Sequence, residues 1–138
     1  MTEKIRGVVT GKNEEFVFEY STVYNTHLKS NVYVFQIWND RELSLELHRY
    51  SLILEILHNG DLKVIDLFAG DYAGKGISIP MILKAKQLFG KRIISSSNRF
   101  KSSHTEGNWV DAINKVWNPM VNQGLAKYDE KRDYYYTT

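Results

Sequence analysis

One stretch constrains this chain more than any other. A nearly continuous apolar run, LKVIDLFA, leads into the loop GDYAGKGIS, and the loop leads into IPMILKAKQLFG. The run reads as a strand. In the segment that follows, Ile79, Ile82, Leu83 and Phe89 keep roughly helical spacing, and Gly90 stops it. Ser78 is placed to cap that helix. Pro80 falls in its first turn, where a missing N–H costs little. KRIISSSN then reads as another strand.

Around this unit the pattern favours more strands. FVFEYST (16–22) alternates apolar and polar, and NVYVFQIW (31–38) is rich in β-branched and aromatic residues. Asn59-Gly60 lies between two apolar runs and predicts a hairpin of 51–58 with 61–69, closed by a type I′ turn. Residues 41–49 fit a helix or a strand: Leu43, Leu47 and Tyr50 suit the first, Leu43, Leu45 and Leu47 the second. A helix is expected from about Asn108 to Gln123. LAKYD and DYYYT form a closing ribbon, and the tyrosine run is expected on an edge strand, where a second copy could pair with it to make a homodimer. The order predicts an α/β or α+β fold on a mixed sheet, built as one domain over 1–138.

Composition narrows the chemistry. The chain has no cysteine, which excludes disulfides, thiolate metal sites and a cysteine nucleophile. Its four histidines show no ligand spacing, so no metal is expected. No apolar run approaches the roughly 20 residues needed to span a membrane. The charged start, MTEKIRGVVTGKNEE, does not read as a signal peptide, and a cytoplasmic location is expected. Between Asp71 and Glu106 there is no acidic residue, and Lys75, Lys84, Lys86, Lys91, Arg92, Arg99 and Lys101 give that stretch a local charge of +7 within a net charge of +2. A basic middle on an otherwise acidic chain suggests an anionic ligand there; a solvated lysine-rich helix face is the plain alternative.

The loop has the makings of an anion site. Gly74 and Gly76 let the backbone turn sharply and approach a ligand. The helix behind them offers unsatisfied N–H groups and the positive end of its dipole, and Lys75 adds a charge. Neither the P-loop nor the dinucleotide fingerprint is satisfied: Lys75 lies between the glycines, and the third glycine of G-x-G-x-x-G is Ile79. A strand-to-helix turn without a ligand is the plain alternative.

With Ala73, Gly76 and Ser78 at its marked positions, the loop resembles the acyl-CoA loop of the GNAT superfamily of N-acyltransferases, Q/R-x-x-G-x-G/A after the fourth strand. The resemblance continues through KRIISSSN, through the helix that contains Trp117, and through Gly124, Leu125, Ala126, Tyr128 and Tyr134–Tyr136, covering about residues 61–136. It implies a GNAT-like mixed, mostly antiparallel central sheet with helices packed on its faces. It implies acetyl-CoA as acyl donor and an amine, on a small molecule or a protein, as acceptor. The donor's pantetheine arm would bond Leu67, Phe68 and Ala69 as an added strand, and the backbone of Ala73, Gly74, Lys75, Gly76, Ile77 and Ser78 would hold its pyrophosphate. Asn98 corresponds to the asparagine that often ends the fifth strand, with Asn108 competing, and Trp117 stands closest to the family's tyrosine acid. An indole donates a hydrogen bond but no proton, so either Tyr128 or Ser97 would serve as the acid or the thiolate would leave unaided, with Asp66, ahead of Asp71, as the base. Two other readings remain. One is a GNAT-like binding module without catalysis. The other is a nucleic-acid binder using the basic 75–101 segment with Tyr72, Phe89 and Phe100.

Overall fold

The structure, a computed structural model, describes residues 3–37, 50–68, 74–97 and 112–138. Its strands are β1 (Ile5–Thr10), β2 (Glu15–Asn25), β3 (Ser30–Ile37), β4 (Ser51–Ile56), β5 (Leu62–Phe68), β6 (Ile93–Ile94), β7 (Ala126–Asp129) and β8 (Tyr134–Thr137). They form one eight-stranded sheet in the order β1-β2-β3-β4-β5-β6-β8-β7. Helix α1 (Ser78–Phe89) connects β5 to β6. A π-helical turn, Ile113–Trp117, runs directly into α2 (Asn118–Asn122) ahead of β7. The fold is mixed α and β. Its strand pairs are antiparallel except β5 with β6, which run parallel across the α1 crossover.

Residues 5–10 carry a strand that their sequence did not announce. β1 pairs with β2 from Ile5↔Tyr20 to Thr10↔Glu15. As a sheet edge it buries little besides Val9, so its pattern is weak. The β4–β5 hairpin forms where expected but not with a type I′ turn. Only Gly60 is left-handed, at φ 93°, and Gly60 N–H donates to the Leu57 carbonyl at 3.0 Å. Asn59 instead uses its side-chain oxygen to accept the Asp61 N–H at 2.9 Å, a local bond that fixes a wider loop.

By register, Tyr20, Phe35, Leu52 and Leu67 stand in one row on one side of the sheet, and Tyr33 and Leu54 lie in the next. Phe89 of α1 stacks on Tyr33 at 4.0 Å and meets Tyr20 edge-on at 5.3 Å. Met81, Ile82 and Ala85 of α1 join the same buried cluster, as do Trp117 and Met120. Gly90 ends α1 as expected, left-handed at φ 62° with its N–H on the Lys86 carbonyl. The wide π turn before α2 has a local reason. Pro119 offers no N–H and its ring crowds the carbonyl one turn back, so the helix loosens there.

The tyrosine strand is not at an edge. β8 lies between β6 and β7, bonded on both sides. The β7–β8 hairpin places β7 outermost, so a second copy cannot add to β8.

Candidate functional site

The parallel pair β5–β6 is short. Leu62 pairs with Ile93 and Lys63 with Ile94, and the ladder stops there. Past that point β6 turns its backbone to the other neighbour: Ser95 N–H donates to the Tyr135 carbonyl at 2.8 Å. The three serines of ISSSN serve this fork. Ser95 Oγ accepts the Tyr135 N–H at 2.9 Å, Ser96 Oγ donates to the Val64 carbonyl, and Ser97 Oγ donates to Asp133 at 3.1 Å. All three are buried. Hydroxyls thus satisfy backbone groups that a continuing ladder would have paired. Among the described residues, the β5–β6 ladder ends at Lys63, Ser96 reaches the Val64 carbonyl through its hydroxyl, and no strand pairs with Asp66–Phe68 on this side.

β5 is also bulged. Val64 pairs with Leu54 but Asp66 with Ile53, so Ile65 has no opposite number. Residues 63 and 66 would otherwise point to opposite sides of the sheet. The extra residue puts Lys63, opposite Glu55, and Asp66, opposite Ile53, on the same side. Asp66 reaches the surface, yet crowding by neighbours raises its pKa above the ordinary 3.8, partly offset by a hydrogen bond with the Ser51 side chain. A carboxyl shifted upward in this way is a better proton acceptor near neutrality than an ordinary aspartate.

The glycine loop lies between the C-terminal end of β5 and α1. Gly74 is left-handed at φ 82°, and a Cβ there would meet none of the described residues within 4 Å. Gly76 is left-handed at φ 72° for a different reason: a Cβ would lie 2.8 Å from Lys12 Cγ. The β1–β2 turn, which the sequence gave no reason to place here, clasps this side, with Lys12 N–H donating to the Lys75 carbonyl at 3.0 Å. The bareness of Gly76 therefore serves chain against chain, while Gly74 remains open. Lys75 Nζ lies 3.5 Å from Glu14 Oε1. Both side chains are exposed, so this pair is worth at most about 1 kcal/mol and yields readily to a stronger anion.

Ser78 is not the cap. Ile77 holds the N-cap position, and no side chain caps the helix start. The Ser78 side chain lies beside Tyr50 instead. Tyr50 is fully buried, and burial pushes its phenol well above the usual range, with Ser78 opposing the shift. No side chain caps the first turn of α1 and no acidic residue stands in it.

Other expected residues divide sharply. Leu67 packs against the core, while Phe68 is exposed. Ile77 sends its side chain into the core, leaving only its backbone for a ligand. Trp117 is buried and stacks on Tyr135 at 5.8 Å, a structural position. Tyr128 donates its hydroxyl proton to Asp133 Oδ1 at 2.7 Å. Ala69, Ala73 and Asn98 lie outside the described residues, as do Asp71, Tyr72, Phe100 and Asn108. The basic segment is partly engaged: Arg92 bonds Asp61 at 2.6 Å, Lys75 faces Glu14, and Lys86 donates to the Thr138 carbonyl. Among the described residues no cluster suits a metal ion, and no helix is long and apolar enough to cross a membrane.

Sequence reasoning missed a cleft beside the fork. It has a volume of about 380 Å³ and is lined by Leu57, Lys63 and Ile94, by Ser95 and Ser97, by Lys131 and Arg132 of the β7–β8 connection, and by Tyr134 at the start of β8. The residues come from four separate stretches, and no spacing rule links them. Comparison of the chain with family models, characterised proteins and solved structures found no match.

Proposed function

We propose that this chain is an acyl-CoA-dependent N-acyltransferase that transfers an acyl group, acetyl in the simplest case, from coenzyme A to an amine. One observation carries the reading: two parallel strands share two rungs, and the strand whose further edge has no partner among the described residues is followed in sequence by a left-handed glycine turn at a helix start. The edge from Asp66 to Phe68 suits the amide groups of a pantetheine arm. The turn from Gly74 to Ser78 suits a pyrophosphate, through backbone N–H groups and the helix dipole. The finer architecture, a GNAT-like sheet with helices on its faces, belongs to this proposal.

Direct attack of the amine on the thioester needs the two reactants held together and a group to accept the ammonium proton. Asp66 fills the second role, directly or through water. Tyr128 is a poor proton donor to a departing thiolate as it stands, because its proton is already given to Asp133. Ser97 bonds the same carboxylate. The departing thiolate, an acceptable leaving group, is then assisted by hydrogen bonding at the fork rather than by full proton transfer.

Engagement of Lys75, Lys86 and Arg92 by protein partners leaves less free charge for the nucleic-acid alternative than the sequence suggested. Calorimetric titration with acetyl-CoA tests the proposal. Micromolar binding is expected, together with release of free thiol when a suitable amine is supplied. Absence of heat and of any thermal shift at millimolar acetyl-CoA sinks it, and binding without turnover of any amine leaves a silent module.

A further inference from the structure

We infer that the cleft beside the fork binds an uncharged molecule, one with an apolar body and a hydrogen-bond acceptor such as a carboxamide oxygen, and that the Tyr134 hydroxyl is the donor that fixes it. Binding there is independent of the acyltransferase reading. Charge balance in the walls favours a neutral ligand. Lys63, Lys131 and Arg132 line the cleft, and protein groups already answer each of them. Lys63 is engaged and stands opposite Glu55 in the ladder. Lys131 is engaged as well, in a connection flanked by Asp129 and Asp133. The Arg132 N–H donates to Asp129 Oδ1 at 3.0 Å, and the same carboxylate attracts its guanidinium. Arg92, beside Tyr134, is held by Asp61 at 2.6 Å. Neither an anion nor a cation meets an unanswered opposite charge. The serines are spent on the fork: Ser95 Oγ donates to the Ser96 carbonyl and accepts the Tyr135 N–H, and Ser97 donates to Asp133. What the walls offer a ligand is hydrocarbon, from Leu57, Ile94 and the Tyr134 ring.

Tyr134 supplies the one polar group left over. Its oxygen accepts from Arg92 Nη2 at 3.3 Å and from Arg132 Nη1 at 3.3 Å. A phenol oxygen has two lone pairs and one proton. Both lone pairs are used, and among the described residues nothing accepts the proton. Arg132 is itself a wall of the cleft, so the hydroxyl it bonds sits at that wall. The ring is held too. Tyr136 meets it edge-on at 6.3 Å, and the Arg92 guanidinium lies 5.8 Å from its centre. The donor is therefore in place before a ligand arrives, which lowers the ordering cost of binding. A carboxamide oxygen takes this proton while its hydrocarbon lies against Leu57 and Ile94. An ammonium has no lone pair for it. A carboxylate has one, but leaves water for cations that other groups already hold.

The test compares 3-phenylpropanamide, 3-phenylpropanoate and 3-phenylpropylammonium, which share one body and differ in charge. Binding is read by ligand-observed NMR on the full chain without acetyl-CoA, so the outcome is separate from that of the acyltransferase reading. The amide is expected to bind with a low-millimolar dissociation constant, the strength open to so small a ligand. Each ion is expected to bind at least about fivefold more weakly. Tyr134→Phe keeps the ring and removes the proton. It is expected to weaken the amide about fivefold, the worth of one hydrogen bond, and to leave the ammonium unchanged. Leu57→Ala shortens the apolar wall and is expected to weaken all three compounds, so a folding defect in one variant leaves the other to decide. An ion that binds as tightly as the amide overturns the inference. So does absence of amide binding at about 10 mM, or an amide affinity that neither variant changes. Equal weakening of amide and ammonium by Tyr134→Phe overturns the donor role of the hydroxyl.

Discussion

The β2–β3 hairpin and the β5–β6 pair show two ways of using a sheet. β2 and β3 are zipped over eight rungs, from Phe18↔Ile37 to Asn25↔Ser30, and their aromatic rings interlock with Phe89 on one side. β5 and β6 share two rungs and then separate, with serine hydroxyls standing in for the missing partner strand. The first arrangement stores stability in side chains packed at interior density. The second leaves one edge of β5 without a partner strand among the described residues, which is the form in which a sheet can accept an extended ligand.

The comparison breaks most visibly at Phe35, fully buried and in contact with Phe18, Tyr20 and Phe89. Phe35→Ala is expected to cost about 3–5 kcal/mol in urea denaturation. The glycine turn sharpens the contrast between its two glycines. Gly76→Ala meets both a left-handed backbone and Lys12 Cγ, so it is expected to destabilise by about 2 kcal/mol. Gly74→Ala meets only the backbone preference and should cost about 1 kcal/mol, while weakening acetyl-CoA at least as much as Gly76→Ala does. Equal stability losses would show that the Lys12 clasp is unimportant. At the fork, Ser96→Ala leaves the Val64 carbonyl without its hydroxyl partner and is expected to cost about 1 kcal/mol in the same denaturation assay.

The smallest stability change is expected at Asp66, and it has the opposite sign. The folded state holds this proton more tightly than the unfolded chain does. Ionisation as pH rises through the folded pKa therefore costs the native state more than the unfolded one. Asp66→Asn should match the wild type in melting temperature below pH 3.8, the ordinary value, and melt slightly higher above it, while acyl transfer falls and loses its acid limb. A lower melting temperature at pH 7 would contradict the assigned cause of the shift.

Much of the second half of the fold was legible, because its signals are local. Gly90 stops α1 with its own backbone, the apolar run of β5 needs burial, and the β7–β8 ribbon is a neighbour pairing. The turn at Asn59 was misread because its side-chain oxygen competes with the backbone geometry that its dipeptide permits. Ser78 was misread as a cap because the helix starts one residue earlier, with Ile77 at the N-cap position. β1 escaped notice because an edge strand buries too little to impose a pattern.

Of the candidate site, local chemistry alone determined the glycine turn, the helix behind it and the carboxylate at position 66. Each depends on what a few consecutive residues can or cannot do: adopt positive φ, leave N–H groups unpaired, carry charge. Tertiary structure alone decided that β5 and β6 part after two rungs, that a bulge brings Lys63 and Asp66 to one side, and that Lys63 meets Lys131 and Arg132 around one cleft. Those outcomes follow from ladder register and from hydrogen bonds between residues more than thirty positions apart, such as Ser96 with Val64 and Ser97 with Asp133, and no window along the chain contains both partners.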